Sequence, residues 1–420
     1  MELTKDIQDF LLNDALERFL RYVKVWTSSD IESDSIPSTE NQLDLSKILV
    51  EELKTLKLED IFQDELGFVY GYLPPSEGCE NTRAIGLLAH IDTSYNVNGK
   101  DVKPVIHKNY GGSEIKFAQN SDITLSLKDS PNLENYIGLD IITSQGDTLL
   151  GADDKAGIAE IMAACAAWKE FPNLRHGPIF LCFTPDEETG KGISKVDKEK
   201  LPEVCYTLDG GEMGELEFEC FDAWRADIKF KGLSVHPGKA KNLMVNAIHI
   251  ASRFLSELPE AETPQHTEER EGFFHLDKLQ GKTEESNARL LIRDYELKNN
   301  ERRMDFLRNL KNLYELRYPG LEIDLNFTHQ YENMLTYIEK DKKIVDLAKK
   351  AIELSRLDVK LHSIRGGTDG AQLCAIGIIT PNIFTGGELF HSKKEYIPTL
   401  GLQKAAEVLI YLAELWTQEK

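Results

Sequence analysis

Three consecutive acids close an apolar run in Phe183-Thr184-Pro185-Asp186-Glu187-Glu188-Thr189-Gly190. Carboxylates side by side raise one another's pKa, so the arrangement costs stability unless a cation or a shared proton compensates. Other apolar runs end in groups of similar chemistry. Ile85-Gly86-Leu87-Leu88-Ala89 stops at His90-Ile91-Asp92, and residues two apart on an extended chain share a face. One of that pair can bind metal while the other steadies it, because a ligating imidazole commonly gives its second N–H to a carboxylate. A hydrogen-bonded surface pair would read the same way. Leu149-Leu150-Gly151-Ala152 leads to Asp153-Asp154 ahead of a stretch rich in small residues, where a carboxylate could bridge two cations or simply cap a helix. Asp209 closes Val204 to Leu208, and His391 follows Gly386-Gly387-Glu388-Leu389-Phe390. Each of these alone is also an ordinary turn or loop residue.

In an open α/β sheet, ligands gather beyond the carboxyl ends of the strands. His90, Asp153, Glu188, Asp209 and His391 therefore suit one shared site. Two imidazoles and three carboxylates serve two metals if one carboxylate bridges. With Asp153 in that place, each metal has one His, one terminal carboxylate and the shared one, which is the composition of a hydrolytic two-metal site. Nitrogen and oxygen ligands without thiolate suit two zinc ions per subunit, with cobalt or manganese as substitutes. Calcium, which favours shells of oxygen alone, suits the two histidines poorly.

The elements that must position these residues show an α/β rhythm. Leu16, Phe19, Leu20 and Val23 recur at helical spacing, Leu43 to Leu56 repeats the pattern, and Thr27 to Thr39 reads as loop. Buried strands are expected at Phe68 to Leu73, Ile85 to Ala89, Ile179 to Phe183 and Val204 to Leu208. From about Leu216 the texture changes to alternating strands, Ala226 to Phe230 and Ala288 to Arg293, separated by helical stretches Asn246 to Leu258 and Glu301 to Leu316. After Asn333 the first rhythm returns, with a helix near Lys343 to Leu354, an apolar run Ala375 to Thr380 and a final helix Leu402 to Trp416. The expectation is a larger α/β domain, residues 1–215 and 331–420, interrupted by a smaller α+β domain at 216–330.

Composition narrows the setting. A formal net charge of −22 over 420 residues disfavours nucleic acid and anionic membranes. No apolar run reaches the roughly 20 residues of a membrane span, and the N-terminus lacks the pattern of a signal peptide. Six scattered cysteines, none in a CxxC pair, read as buried thiols of a cytoplasmic protein.

The blocks AHIDTS, TLLGADDKAGIAEIM, FTPDEETGKG, TLDGGEMGELEFE, SVHPGKAKNLMVNA, IRGGTDGAQL and FTGGELFHSKKEY resemble, in order and spacing, the family of cocatalytic zinc aminoacylases, carboxypeptidases and aminopeptidases, and within it the tripeptide aminopeptidases. The resemblance implies that His90 and Asp209 hold one metal, Glu188 and His391 the other, and that Asp153 bridges them. It implies further that Asp92 orients His90, that Glu187 is the general base, and that a cis peptide joins Asp153 to Asp154. His236 would support an oxyanion, and Arg293 and Arg365 would clamp the substrate's terminal carboxylate, a task that suits a planar guanidinium. The resemblance makes the larger domain catalytic, with a central mixed sheet flanked by helices, and the inserted one a ferredoxin-like lid; the implied activity is release of the N-terminal residue from small peptides, mainly tripeptides, with a homodimer formed through the inserted domain. A dipeptidase or an N-acyl amino acid deacylase would use the same machinery on other substrates. A catalytically silent peptide-binding homologue would have no need of Glu187. The Phe before His391 and the Thr-Gly-Lys after Glu188 depart from the family pattern, which bears on side-chain preference rather than reaction type.

Overall fold

The continuous apolar runs form the middle of an eight-stranded mixed sheet in the computed structural model, which describes residues 2–120 and 122–419. The sheet order is Glu59–Gln63, Val69–Leu73, Ile179–Thr184, Ile85–His90, Cys205–Gly210, Asn382–Phe384, Glu215–Cys220 and Lys360–Ile364. Ile85–His90 runs parallel to Ile179–Thr184 and to Cys205–Gly210, which in turn runs parallel to Asn382–Phe384. Four neighbouring strands therefore end on the same side. Every residue of Ile85–His90 is buried, as expected for a strand covered on both faces.

The helix Ala152–Glu170 is buried almost all round because its residues are small. It packs with Lys5–Tyr22 and Thr399–Gln418, the latter also against Lys343–Leu354. Gly157 permits its close approach to the sheet: a Cβ there would lie 2.1 Å from the Leu208 carbonyl oxygen. The apolar run Ala375 to Thr380 is only partly paired: Ala375 ends the short helix Asp369–Ala375, Gly377 takes φ +95°, Ile379 makes an isolated parallel bridge to Val204, and the strand itself starts at Asn382, after Pro381.

The chain divides into two units, Met1–Phe218 with Thr336–His362 and Thr368–Lys420, and Glu219–Leu335 with Ser363–Gly367. The second is built on an antiparallel sheet in the order Phe273–Gly281, Glu285–Asp294, Asp222–Lys231, Glu322–Tyr331. The helices Ala247–Leu255 and Leu297–Arg317 complete a β-α-β-β-α-β sequence with ferredoxin-like strand order. Alternation works as expected: Ala226, Ile228 and Phe230 join Leu290, Ile292, Phe254 and Tyr314 in one core, while Asp227 and Lys229 on the other face pair with Arg289 and Glu285.

Gly157→Ala is expected to destabilise the protein by about 1–3 kcal/mol, the usual cost of overpacking, because a backbone carbonyl cannot rotate away. Gly111, which has open space around it, supplies the control, and Gly111→Ala should stay within about 0.5 kcal/mol. Denaturant midpoints check this; equal effects would show that the helix has room to shift.

Candidate active site

The parallel strands deliver their carboxyl ends to one place. His90 is the last residue of its strand, Asp209 the last but one of its own, and Glu187 and Glu188 follow the strand Ile179–Thr184 within a few residues. At the helix start, Gly151 turns the chain at φ 83°, Asp153 and Asp154 are non-helical, and the peptide between them is cis, as the resemblance implied. Asp153 does not cap the helix. Another carboxylate holds that position: Glu395 accepts from the N–H groups of Leu150, Gly151, Ala152 and Asp153 at 2.7, 2.9, 2.7 and 3.1 Å.

Asp153 is thereby free to face two imidazoles. Its Oδ1 lies 2.8 Å from His90 Nε2 and its Oδ2 lies 3.0 Å from His391 Nε2. His90 Nε2 is also 3.6 Å from Asp209 Oδ1, and His391 Nε2 is 2.9 Å from Glu188 Oε1. Each Asp153 oxygen thus meets one imidazole, and the Nε2 of each imidazole meets one further carboxylate.

Asp92 links the two halves of this arrangement. Fully buried, it sits with Oδ1 3.4 Å from His90 Nδ1 and accepts from the Glu187 and Glu188 N–H groups at 3.0 and 3.2 Å. The preceding residue, Asp186, has φ 58° and accepts from Ser38 N at 2.6 Å, Gln42 Nε2 at 2.7 Å and the Ser38 hydroxyl. Asp154 accepts from the His90 backbone N–H at 2.9 Å, and Asp369 from the Thr184 hydroxyl at 2.7 Å. The residue types of Asp154, Asp186, Asp369 and Glu395 give no distinct signal, although adjacency to Asp153, Glu187 and His391 marks the first, second and last as worth inspecting.

The electrostatics follow from crowding. Burial and then Asp153 push Glu188 up to about 7, and burial opposed by the His90 hydrogen bond leaves Asp209 at about 6. Burial and then Asp209 raise Glu187 and Asp154 well above the usual carboxylate range. Burial also raises Asp369 to about 7. In the opposite sense, hydrogen bonds to Asp153 and Glu188 raise His391 to about 11. Burial disfavours charge on His90, yet its bonds to Asp153, Asp209 and Asp92 raise it as well. Asp153, against the effect of burial, is held low by His391 and His90. Positive charge is therefore what the cluster favours, and its donors, nitrogen and carboxylate oxygen without thiolate, fit zinc. Ligand atoms of His90, Asp153 and Glu188 lie within 4.8 Å of one another, as do those of His90, Asp154 and Asp209.

The remaining candidates belong to the smaller unit. His236 is exposed and its Nδ1 accepts from Gly238 N–H at 3.1 Å; Nε2 takes no part in that turn. Arg293 donates to the carbonyls of Trp224 and Ile292, both at 3.0 Å, and to Gln330 Oε1 at 2.9 Å. Arg365 donates to the carbonyls of Glu269 and Glu271 at 2.6 and 2.9 Å and to the Thr267 hydroxyl at 3.0 Å. Much of the donor capacity of both guanidiniums is used to shape their own unit.

The model of Peptidase family M20/M25/M40 matches residues 149–415. Peptidase T of Geobacillus sp. (strain WCH70) is 45% identical over 408 residues, 97% of this chain and 99% of that protein. Among solved structures, a tripeptidase from Staphylococcus aureus superposes with a TM-score of 0.77 at 20% identity, covering 97% of this chain and 99% of that one. A dinuclear metal binding peptidase of the M20 family from Bacillus subtilis gives 0.66 at 12% identity, covering 98% and 99%. The two structures share the fold.

Glu395→Gln exchanges an anion that accepts four backbone N–H groups for a neutral amide with N–H groups of its own. Because those four groups position Asp153, divalent-metal affinity should fall by roughly 10–100-fold, the usual cost of losing a group that orients a ligand. Competition with a chromogenic chelator measures this, and unchanged affinity would show that Asp153 holds its place without Glu395.

Proposed function

The chain belongs to peptidase family M20/M25/M40, and from that premise we propose that it is a zinc-dependent aminopeptidase that releases the N-terminal residue of tripeptides. The substrate class rests on likeness, almost from end to end, to proteins named Peptidase T. The reaction class rests on one observation: the two oxygens of Asp153 each face an imidazole that faces a second carboxylate. His90 and Asp209 would hold one zinc ion, Glu188 and His391 the other, and Asp153 both. Such ions would supply Lewis acidity and lower the pKa of a bound water.

The chain's own groups do the rest. Glu187, partly exposed beside the cluster and anchored through its backbone N–H to Asp92, takes a proton from the attacking water and returns it to the leaving amine. Asp92 is a positioning residue, holding the His90 ring and the Glu187-Glu188 backbone with one carboxylate. His236 serves the oxyanion through Nε2, and Arg293 and Arg365 meet the peptide's terminal carboxylate. The six cysteines, buried and unbridged, support a cytoplasmic setting.

Neighbouring glutamates are thus given opposite work. Glu187→Gln should lower kcat by at least about 10²–10⁴-fold, the range for general base catalysis, while zinc content stays whole. Glu188→Ala should lose zinc together with activity, and excess zinc should restore part of both. The reverse pattern in metal analysis would move the assignment by one residue. Dialysis against chelator should abolish hydrolysis of trialanine, and zinc or cobalt should restore it; full activity in metal-free protein would end the two-metal reading. Arg365→Ala should raise KM for free tripeptides and leave tripeptide amides nearly unaffected, whereas equal losses would give Arg365 a purely structural part.

A further inference from the structure

We propose that Glu215, Glu217 and His362 form a second divalent-cation site in the larger unit, separate from the cluster around Asp153. Glu215 and Glu217 lie two apart on the strand Glu215–Cys220 and so share a face, with Leu216 buried on the other. His362 comes from the adjacent edge strand Lys360–Ile364, which is joined to the first by Lys360 N–H donating to the Gly214 carbonyl at 2.8 Å. One ligand atom from each of the three lies within 4.8 Å of the others.

The site is held from behind. Glu217 is 7% exposed, with Oε1 3.0 Å from His362 Nδ1 and Oε2 accepting from Asn382 Nδ2 at 3.2 Å. Asn382 is itself fixed by the hydroxyls of Thr207 and Thr368, which donate to its Oδ1. This is the layered support that metal ligands commonly have. Glu215 fits because residue 211 is glycine: a Cβ there would come within 2.6 Å of Glu215 Oε2.

Charge argues in the same direction. Lys360 is engaged by Glu212 at 2.7 Å, and among the described residues the ion pairs of Glu215 and Glu217 include no Lys or Arg. Two carboxylates taken partly out of water repel one another unless a cation stands between them, and a single half-exposed imidazole supplies at most one charge. One nitrogen and two carboxylate donors without thiolate suit zinc, cobalt or manganese. Glu217 and His362 also flank two of the points where the chain passes from one unit to the other, Phe218 to Glu219 and His362 to Ser363. A cation on both would tie those two strands together.

The test uses the full chain with its Asp153 centre already loaded, dialysed to equilibrium against graded zinc and assayed for metal by mass spectrometry. Wild type should take up an additional ion per chain that Glu215→Gln and His362→Asn do not, while both variants keep wild-type tripeptide hydrolysis. Equal uptake by all three would overturn the proposal. Independently of how the variants fold, cobalt added to the zinc-loaded wild type should broaden the His362 ring resonances. Resonances that stay sharp while cobalt is bound elsewhere would also overturn it.

Discussion

Everything around the candidate site depends on one juxtaposition, the Asp153 carboxylate held between the His90 and His391 imidazoles. A buried carboxylate with one imidazole would be an ordinary ion pair. With one on each oxygen, and with Asp209 and Glu188 beyond them, it becomes the shared member of two nitrogen-and-oxygen sets. The surrounding acids raise one another because they are crowded and partly removed from water, and only positive charge relieves that. The cost of the cluster and its capacity for catalysis have the same origin.

Holding such a cluster is a task for the backbone. Glu395 gathers four N–H groups ahead of the helix Ala152–Glu170, Asp92 gathers two from the Glu187-Glu188 segment, and Asp154 takes one from His90. Carboxylates that accept N–H groups set the positions of carboxylates that face imidazoles, so the loops are fixed by charge-assisted bonds. The parallel strands bring these loops together, and Gly157 lets the helix lie close enough to the sheet for Asp153 to reach.

The parts of this that can be read in the sequence are those carried by local pattern. Ile85–His90 and Ile179–Thr184 are strands because their apolar runs are continuous, and the chemistry at their ends shows in residue type alone. Alternation likewise reveals the strand around Ala226 to Phe230. Long-range partners leave no such mark. Glu395 looks like one more charge in HSKKEY, yet its acceptors' partners lie up to 245 residues away. Asp153 reads equally well as a helix cap until Glu395 is seen in that role. Ala375 to Thr380 is apolar enough for a strand, yet its first residue ends a helix and Gly377 turns the chain, so the run pairs only through the Ile379 bridge to Val204 and the strand starts at Asn382. The Glu215, Glu217 and His362 group depends on two strands separated by more than a hundred residues of chain meeting at a sheet edge.

The sharing of Asp153 can be seen directly. Crystals of the zinc-loaded protein, measured on both sides of the zinc absorption edge, give a map in which only zinc appears. Two peaks about 3.5–4 Å apart, one beside His90 and Asp209, one beside Glu188 and His391, with an Asp153 oxygen on each, are the expected result. A single peak, or two that do not share Asp153, would contradict the assignment on which the rest is built.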